Sequence, residues 1–286
     1  MTAARFDGKV AVVTGAGRGV GRAVAEALAA RGASVVVNDT GAARDGAGAD
    51  PSVADAVVAA LREGGAMAEA SAHDVSTDEG ARAMVDVAVR AFGGVDVLVT
   101  CAGVIRDRPF TRMDEASLDA VMRAQVYGTF HACRAASRRM IDQRRGGRIV
   151  TTVGAAGYFG ALGQSNLAAA LGAVHGLTRS MAVELKKHAV YVNAVAPVAR
   201  TRMTEDLPMF EALGDETYGP RFVAPAVLFL ASALAGELTG EVLSVAGTRL
   251  SLYRVQESVG VVGDDPRTPW TPEAVRSQWE RLSRYR

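Results

Sequence analysis

Residues 10–21 read Val10-Ala11-Val12-Val13-Thr14-Gly15-Ala16-Gly17-Arg18-Gly19-Val20-Gly21. The apolar run that opens this stretch suits a short strand covered on both faces, as a parallel sheet requires. The glycines that follow let the backbone turn sharply and approach a pyrophosphate, whose charge the N-terminal end of the next helix favours. An Ala-rich helix then runs to about Ala30 and stops at Gly32. A second buried strand, Ser34 to Val37, ends in Asn38-Asp39. A carboxylate at Asp39 can accept hydrogen bonds from both hydroxyls of an adenosine ribose and repels a 2′-phosphate, which favours NAD over NADP. The plainer reading of Asp39 is a solvated turn residue.

The same alternation continues outward. Helices are expected over about Val53–Glu63, after Thr77-Asp78-Glu79, over Ser117–Met140 and over Asn166–His188. Strands are expected before Asp74 and at Val95–Val99, Arg148–Val153 and Tyr191–Val195. Short Val-rich runs alternating with helices imply an α/β fold with a doubly wound parallel sheet. Thr40–Ser52 (TGAARDGAGADPS) has no periodicity and is expected to be a mobile loop at the sheet edge. The pattern stops near Leu250. One domain over residues 1–250 and a C-terminal extension over 251–286 follow, with Thr271-Pro272-Glu273 capping a last helix that carries Trp279.

Composition narrows the function. With 32 basic against 31 acidic residues and a net charge of +1, the chain lacks the concentrated positive field that nucleic acids or anionic membranes select. Cys101 and Cys133 are too few for a disulfide framework, so a reducing cytoplasm is expected. No apolar run is long enough to span a bilayer, and residues 6–9 lead into a strand rather than a signal peptide. No HExxH, CxxC or carboxylate pair at ligand spacing points to a metal.

The segments TGAGRGVG, Asp39, Asp74-Val75, Cys101-Ala102-Gly103 and Val192-Asn193-Ala194-Val195-Ala196-Pro197 resemble the short-chain dehydrogenase/reductase family over residues 1–250. The Val-Val-Val-Asn-Asp39 strand, the Gly-rich insertion after it, Gly103-Val-Ile-Arg-Asp-Arg108 and Thr201-Arg-Met-Thr204 are similar to one branch. That branch is the D-3-hydroxyacyl-CoA dehydrogenase part of multifunctional enzyme type 2. The resemblance implies a Rossmann-like fold and NAD binding by Thr14, Gly15, Arg18, Gly19, Val20, Gly21, Asp39, Asp74, Val75, Ala102 and Gly103, with Thr201 near the nicotinamide. His73 is placed to bracket an adenine ring.

The family's chemistry uses a tyrosine as proton donor or acceptor, a lysine four residues later that lowers its pKa, a serine that polarises the carbonyl and an asparagine that anchors a water. A tyrosine of pKa near 10 needs that neighbouring cation to work at neutral pH. In register with that pattern, Gly154 stands at the serine position, Leu167 and Leu171 at the tyrosine and lysine, and Gln125 at the asparagine. Two leucines at i, i+4 share a helix face, and their burial is expected to contribute roughly 1.5–3 kcal/mol each. Lys9, Lys186 and Lys187 are the only lysines, and all lie far from position 171 in sequence. Tyr158, after the serine turn, is the least bland substitute; Tyr127, His131, His175, Thr151 and Thr152 read more readily as packing residues.

Three readings follow. The first is a non-catalytic subunit that keeps an NAD pocket and associates through its two long helices with an active homologue of hydroxyacyl-CoA type, as a hetero- or homo-oligomer. The second is repurposed, non-redox chemistry (a cyclase, dehydratase or isomerase of a bacterial biosynthetic pathway) using Tyr158, with a small-molecule or acyl-CoA ligand. The third is an NAD-dependent oxidoreductase with atypical proton transfer.

Overall fold

The computed structural model describes residues 4–210 and 214–284. Contacts divide the chain into two compact units that meet between Leu252 and Tyr253. The first begins with β1 (Val10–Thr14), α1 (Gly19–Ala29), β2 (Ser34–Asn38), α2 (Ser52–Glu63), β3 (Ala68–Ser71), α3 (Asp78–Phe92) and β4 (Val97–Thr100). It continues through α4 (Glu115–Met122), α5 (Gly128–Gln143), β5 (Gly147–Thr152), α6 (Ala156–Phe159), α7 (Ser165–Leu185) and β6 (Val190–Val198). Beyond these lie α8 (Asp215–Tyr218), α9 (Ala224–Ala231), β7 (Val242–Ala246) and β8 (Arg249–Leu252). In the second unit, Thr271 accepts a hydrogen bond from Ala274 N (3.1 Å) and caps α10 (Pro272–Leu282).

Among the described residues, eight strands form one sheet in the order β3-β2-β1-β4-β5-β6-β7-β8, parallel except for β8. In the centre of the sheet, Val12 pairs with Val36 on one side and Leu98 on the other. These three face a core layer made with Met84 of α3 and Ala132, Cys133 and Met140 of α5. Their neighbours Val13, Val35, Val37 and Val99 face the opposite layer, against Leu28 of α1, Val57 and Leu61 of α2 and Leu228 of α9. The two-residue period of a strand sends alternate valines into the two layers, so an apolar run without polar interruption is needed.

Four features differ from the expectation. The sheet extends by β7 and β8, and a boundary at residue 250 falls inside β8, whose Leu250 pairs with Val245. Between β6 and β7, α9 was not foreseen either; its apolar residues run without helical periodicity because the helix is buried on most sides. The long helix around residue 125 is interrupted by a π-helical turn, Arg123–Tyr127, between α4 and α5. Finally, Thr40–Ser52 is not a free loop. Its base is closed by Asp50 N donating to Thr40 O (2.8 Å) and Gly41 N donating to Asp39 Oδ1 (2.7 Å).

Candidate functional site

In an open parallel sheet, ligands bind beyond the carboxyl ends of the strands where the strand order reverses. Here that point lies between β1 and β4. A cavity of about 790 Å³ opens there, lined by the ends of β2, β5 and β6 and by the loops that follow these strands and β1 and β4.

One end is shaped by glycines that admit no side chain. A Cβ on Gly15, whose φ is +61°, would lie 2.7 Å from the Ala102 backbone, and one on Gly21 would lie 2.2 Å from Gly15 O. The α1 N-cap, Arg18, makes no side-chain capping bond. The first N–H groups of α1 therefore lack a side-chain acceptor from the cap, the arrangement that suits an anion. Asp39 accepts from Gly17 N at 2.9 Å through Oδ2 while Oδ1 takes Gly41 N, and its oxygens retain lone pairs for a further donor. Arg18 and Arg202 both donate to Ala42 O, at 3.4 and 3.1 Å. Burial, and then the charge of Arg18, hold the Arg202 guanidinium below its ordinary pKa, with Asp39 pulling the other way.

Gly15, Arg18, Gly19, Val20, Gly21, Asp39, Asp74, Val75, Ala102, Gly103 and Thr201 all line the cavity. Thr14 does not. Its buried hydroxyl accepts from Cys101 N and Ala102 N (both 3.2 Å) and braces the turn after β4 against β1.

The strap over residues 40–52 was expected to be mobile, and the hydrogen bonds correct that. Ile105 N donates to Arg44 O (3.1 Å), Arg106 Nε donates to Asp45 O (2.8 Å), and the Arg44 guanidinium donates to Met203 O (3.2 Å) and Asp206 (2.9 Å). Its Ala42, Ala43, Gly46, Gly48 and Ala49 line the cavity. Composition alone gave no sign of this, because the partners of Arg44 lie far along the chain.

The other end of the cavity gathers Gln125, Gly154, Leu167 and Leu171 with Cys101 and Thr152. Among the described residues, no tyrosine and no lysine lines it. A Cβ on Gly154 would meet Leu171 Cδ1 at 3.0 Å, so the Leu171 side chain occupies the space beside that turn. Leu171 is buried, whereas Leu167 is only half-buried, because it borders the open cavity rather than the core. The expected full burial of both leucines therefore holds for one. Thr152 donates to Cys101 Sγ (3.6 Å), and burial pushes the Cys101 thiol up to about 11.

Tyr158 does not reach this space. Its ring packs on His175 of α7, with centroids 4.7 Å apart, and it is absent from the cavity wall. Thr151 is buried against Thr178 (2.7 Å). His131 lies beside Asp78, and Tyr127 packs at 6.1 Å from it on the outer face. No described group of three His, Cys, Asp or Glu residues is placed to hold a metal, and no described helix is long and apolar enough to cross a membrane.

Comparison with known proteins agrees with this architecture. A mouse protein, peroxisomal multifunctional enzyme type 2, is 39% identical over 278 residues; they make up 97% of this chain but 37% of the mouse protein, so this chain spans little more than a third of it. From Mycobacterium tuberculosis, the putative short-chain type dehydrogenase/reductase Rv0148 is 38% identical, covering 96% of this chain and 94% of that one. Hydroxyacyl-CoA dehydrogenase ChsB1 of the same organism is 40% identical over 86% of this chain and 80% of its own. A short-chain dehydrogenase from Mycobacterium avium superimposes with a TM-score of 0.84 at 35% identity, covering 97% of this chain and 95% of that one. The full-length multifunctional enzyme type 2 of Drosophila melanogaster gives 0.80 at 30% identity, over 98% of this chain and 46% of that one. The short chain dehydrogenase model matches residues 9–211, and with the reversed strand order and glycine-shaped turn at its cleft this chain belongs to the short-chain dehydrogenase family, related to the hydroxyacyl-CoA dehydrogenases.

Proposed function

We propose that this chain is an NAD-binding, non-catalytic subunit that works beside an active short-chain dehydrogenase homologue of hydroxyacyl-CoA type. The observation that carries this reading is the contrast between the two ends of one cavity. The glycine turn, Asp39 and the Arg18–Arg202 pair suit an adenosine diphosphate, whereas the opposite end presents Gly154, Leu167 and Leu171 with no tyrosine or lysine among the described lining residues. Gly15, Gly19 and Gly21 would lie against the pyrophosphate, Asp39 and Asp74 against the adenosine, and Thr201 toward the nicotinamide. NAD, when bound, supplies a hydride acceptor.

What the chain itself lacks by this reading is a proton carrier at the substrate oxygen. Removing a general acid/base costs about 10²–10⁴-fold in rate, and groups that act as a unit fail together. Nor does Cys101 supply one at neutral pH, with its thiol pushed up to about 11. Tyr158, the residue on which repurposed chemistry would rest, packs on His175 away from the cavity. The homologue is expected to dock on the long helices α5 and α7, where Phe130 and Val183 are exposed, with Tyr127 just before α5.

The test combines calorimetric titration of the purified chain with NAD⁺ and ADP-ribose and an NADH assay on 3-hydroxyacyl-CoA thioesters. Expected results are binding of both nucleotides, because each carries the adenosine diphosphate that the glycine turn and Asp39 suit, and no turnover above background. Turnover by the unmodified chain at an ordinary dehydrogenase rate, without a partner, overturns the proposal.

A further inference from the structure

Gln125 is the polar side chain that the emptied end of the cavity leaves unused. It is 9% exposed, it lines the cavity, and its amide makes no hydrogen bond to any described residue. Both amide atoms stay open to the cavity, so the donor and the acceptor are available to a ligand there. Two features of the backbone hold the amide there. Gln125 is the middle residue of the π-helical turn Arg123–Tyr127, a geometry frequent at functional positions. Gly103 makes the room: a Cβ on it would lie 2.6 Å from Gln125 Nε2 and 2.9 Å from Oε1, so the amide rests directly on the glycine backbone. Gly103 does not have a positive φ, so this contact, and not backbone strain, is what an alanine would disturb.

A primary amide presents an N–H donor and a C=O acceptor side by side. Its full complement is a group with the same pair in the opposite order, held cis: a lactam, an imide or another primary carboxamide. A ketone satisfies half of it, and a carboxylate offers no donor. Cys101, Gly154, Leu167 and Leu171 share this end of the cavity and suit an apolar body beside that edge, while Arg106 and Arg123 also line the cavity. From the unbonded, cavity-facing amide and its glycine platform we infer that the emptied end of the cleft binds a ligand through a cis-amide edge paired with Gln125. The inference rests on reading this end as a binding rather than a reacting site. That chemistry has two sources, a separate lactam or carboxamide compound, or the nicotinamide carboxamide of the dinucleotide itself.

The test measures binding of ε-caprolactam and cycloheptanone, which share a ring size and differ in the amide edge, to the full chain by protein-observed NMR or calorimetry. Caprolactam is expected to bind at least about fivefold tighter, and the preference should shrink to within about twofold in Gln125→Leu. Gly103→Ala, which keeps the amide but displaces it, should lose the preference as well. Gln125→Leu is expected to melt within a degree or two of the parent, since the amide makes no hydrogen bond within the fold; an amide serving only the fold would lower the melting temperature. Competition separates the sources. Displacement of caprolactam by NAD⁺ but not by ADP-ribose assigns the site to the nicotinamide carboxamide, and displacement by neither assigns it to a separate ligand. No lactam preference in the parent, or an equal preference in Gln125→Leu, overturns the inference. Either result leaves the turnover test of the subunit reading standing.

Discussion

At the scale of single residues, Gly154 and Leu171 form one unit. The 3.0 Å gap between a Cβ at 154 and Leu171 Cδ1 means that Gly154→Ser alone presses a hydroxymethyl group into an occupied space. Overpacking of this kind costs about 1–3 kcal/mol. Gly154→Ser should therefore lower the melting temperature by several degrees, and adding Leu171→Lys, whose flexible stem can withdraw, should recover part of the loss. The triple variant Gly154→Ser, Leu167→Tyr, Leu171→Lys is expected to gain measurable NADH production on a hydroxyacyl-CoA, while no single change does. Cys101 makes a second prediction. With its thiol pushed up to about 11 by burial, alkylation by iodoacetamide at pH 8 should run roughly a hundredfold slower than for an exposed cysteine. Much of this was legible in the sequence, because each substitution stands inside a recognisable frame. The direction of Tyr158 was not, since four residues of α6 decide whether its ring meets the cavity or His175.

Elements were legible in proportion to their periodicity. The β1-α1-β2 unit, the Thr77 cap of α3 and the Thr271 cap of α10 follow from residue type at fixed offsets, and the structure has them within a residue or two. The π-helical turn leaves no such mark, because a shift from i+4 to i+5 bonding changes no residue preference strongly enough to read. The strap is the clearest miss. Its Gly-Ala-Asp composition describes a chain without a core of its own, and its order comes from Arg44, Ile105 and Asp206 meeting across the cleft. The Asp206 carboxyl is held below the ordinary carboxylate range, chiefly by its hydrogen bond from Arg44. A carboxyl lowered in the folded state keeps its contact above the ordinary value near 4 and loses it as the pH falls through the depressed one. Exchange protection of the Ile105 amide, which donates to Arg44 O, should therefore be level from pH 7 to 5 and fall only in stronger acid.

At the scale of the whole molecule, a doubly wound parallel sheet could be expected from the alternation of Val-rich runs with helices, whereas β7 and β8 could not. Those strands are short, and β8 is stabilised by pairing antiparallel to β7 rather than by burial, so its residues alternate weakly. Association belongs to this scale too. Native mass spectrometry of the protein isolated at natural expression from its own host is expected to show a complex with a second short-chain dehydrogenase chain; a homo-oligomer alone would count against the heteromeric arrangement. The strap carries one consequence beyond geometry. It crosses the cleft and is tied on the far side through Met203 and Asp206, so the nucleotide proposed for this cleft would have those ties to part before leaving. By that proposal, residence time should follow the strap more than the ligand. In a chase experiment, labelled NAD⁺ should dissociate at a rate independent of competitor concentration, similar for NAD⁺ and ADP-ribose, and faster for both in Arg44→Ala.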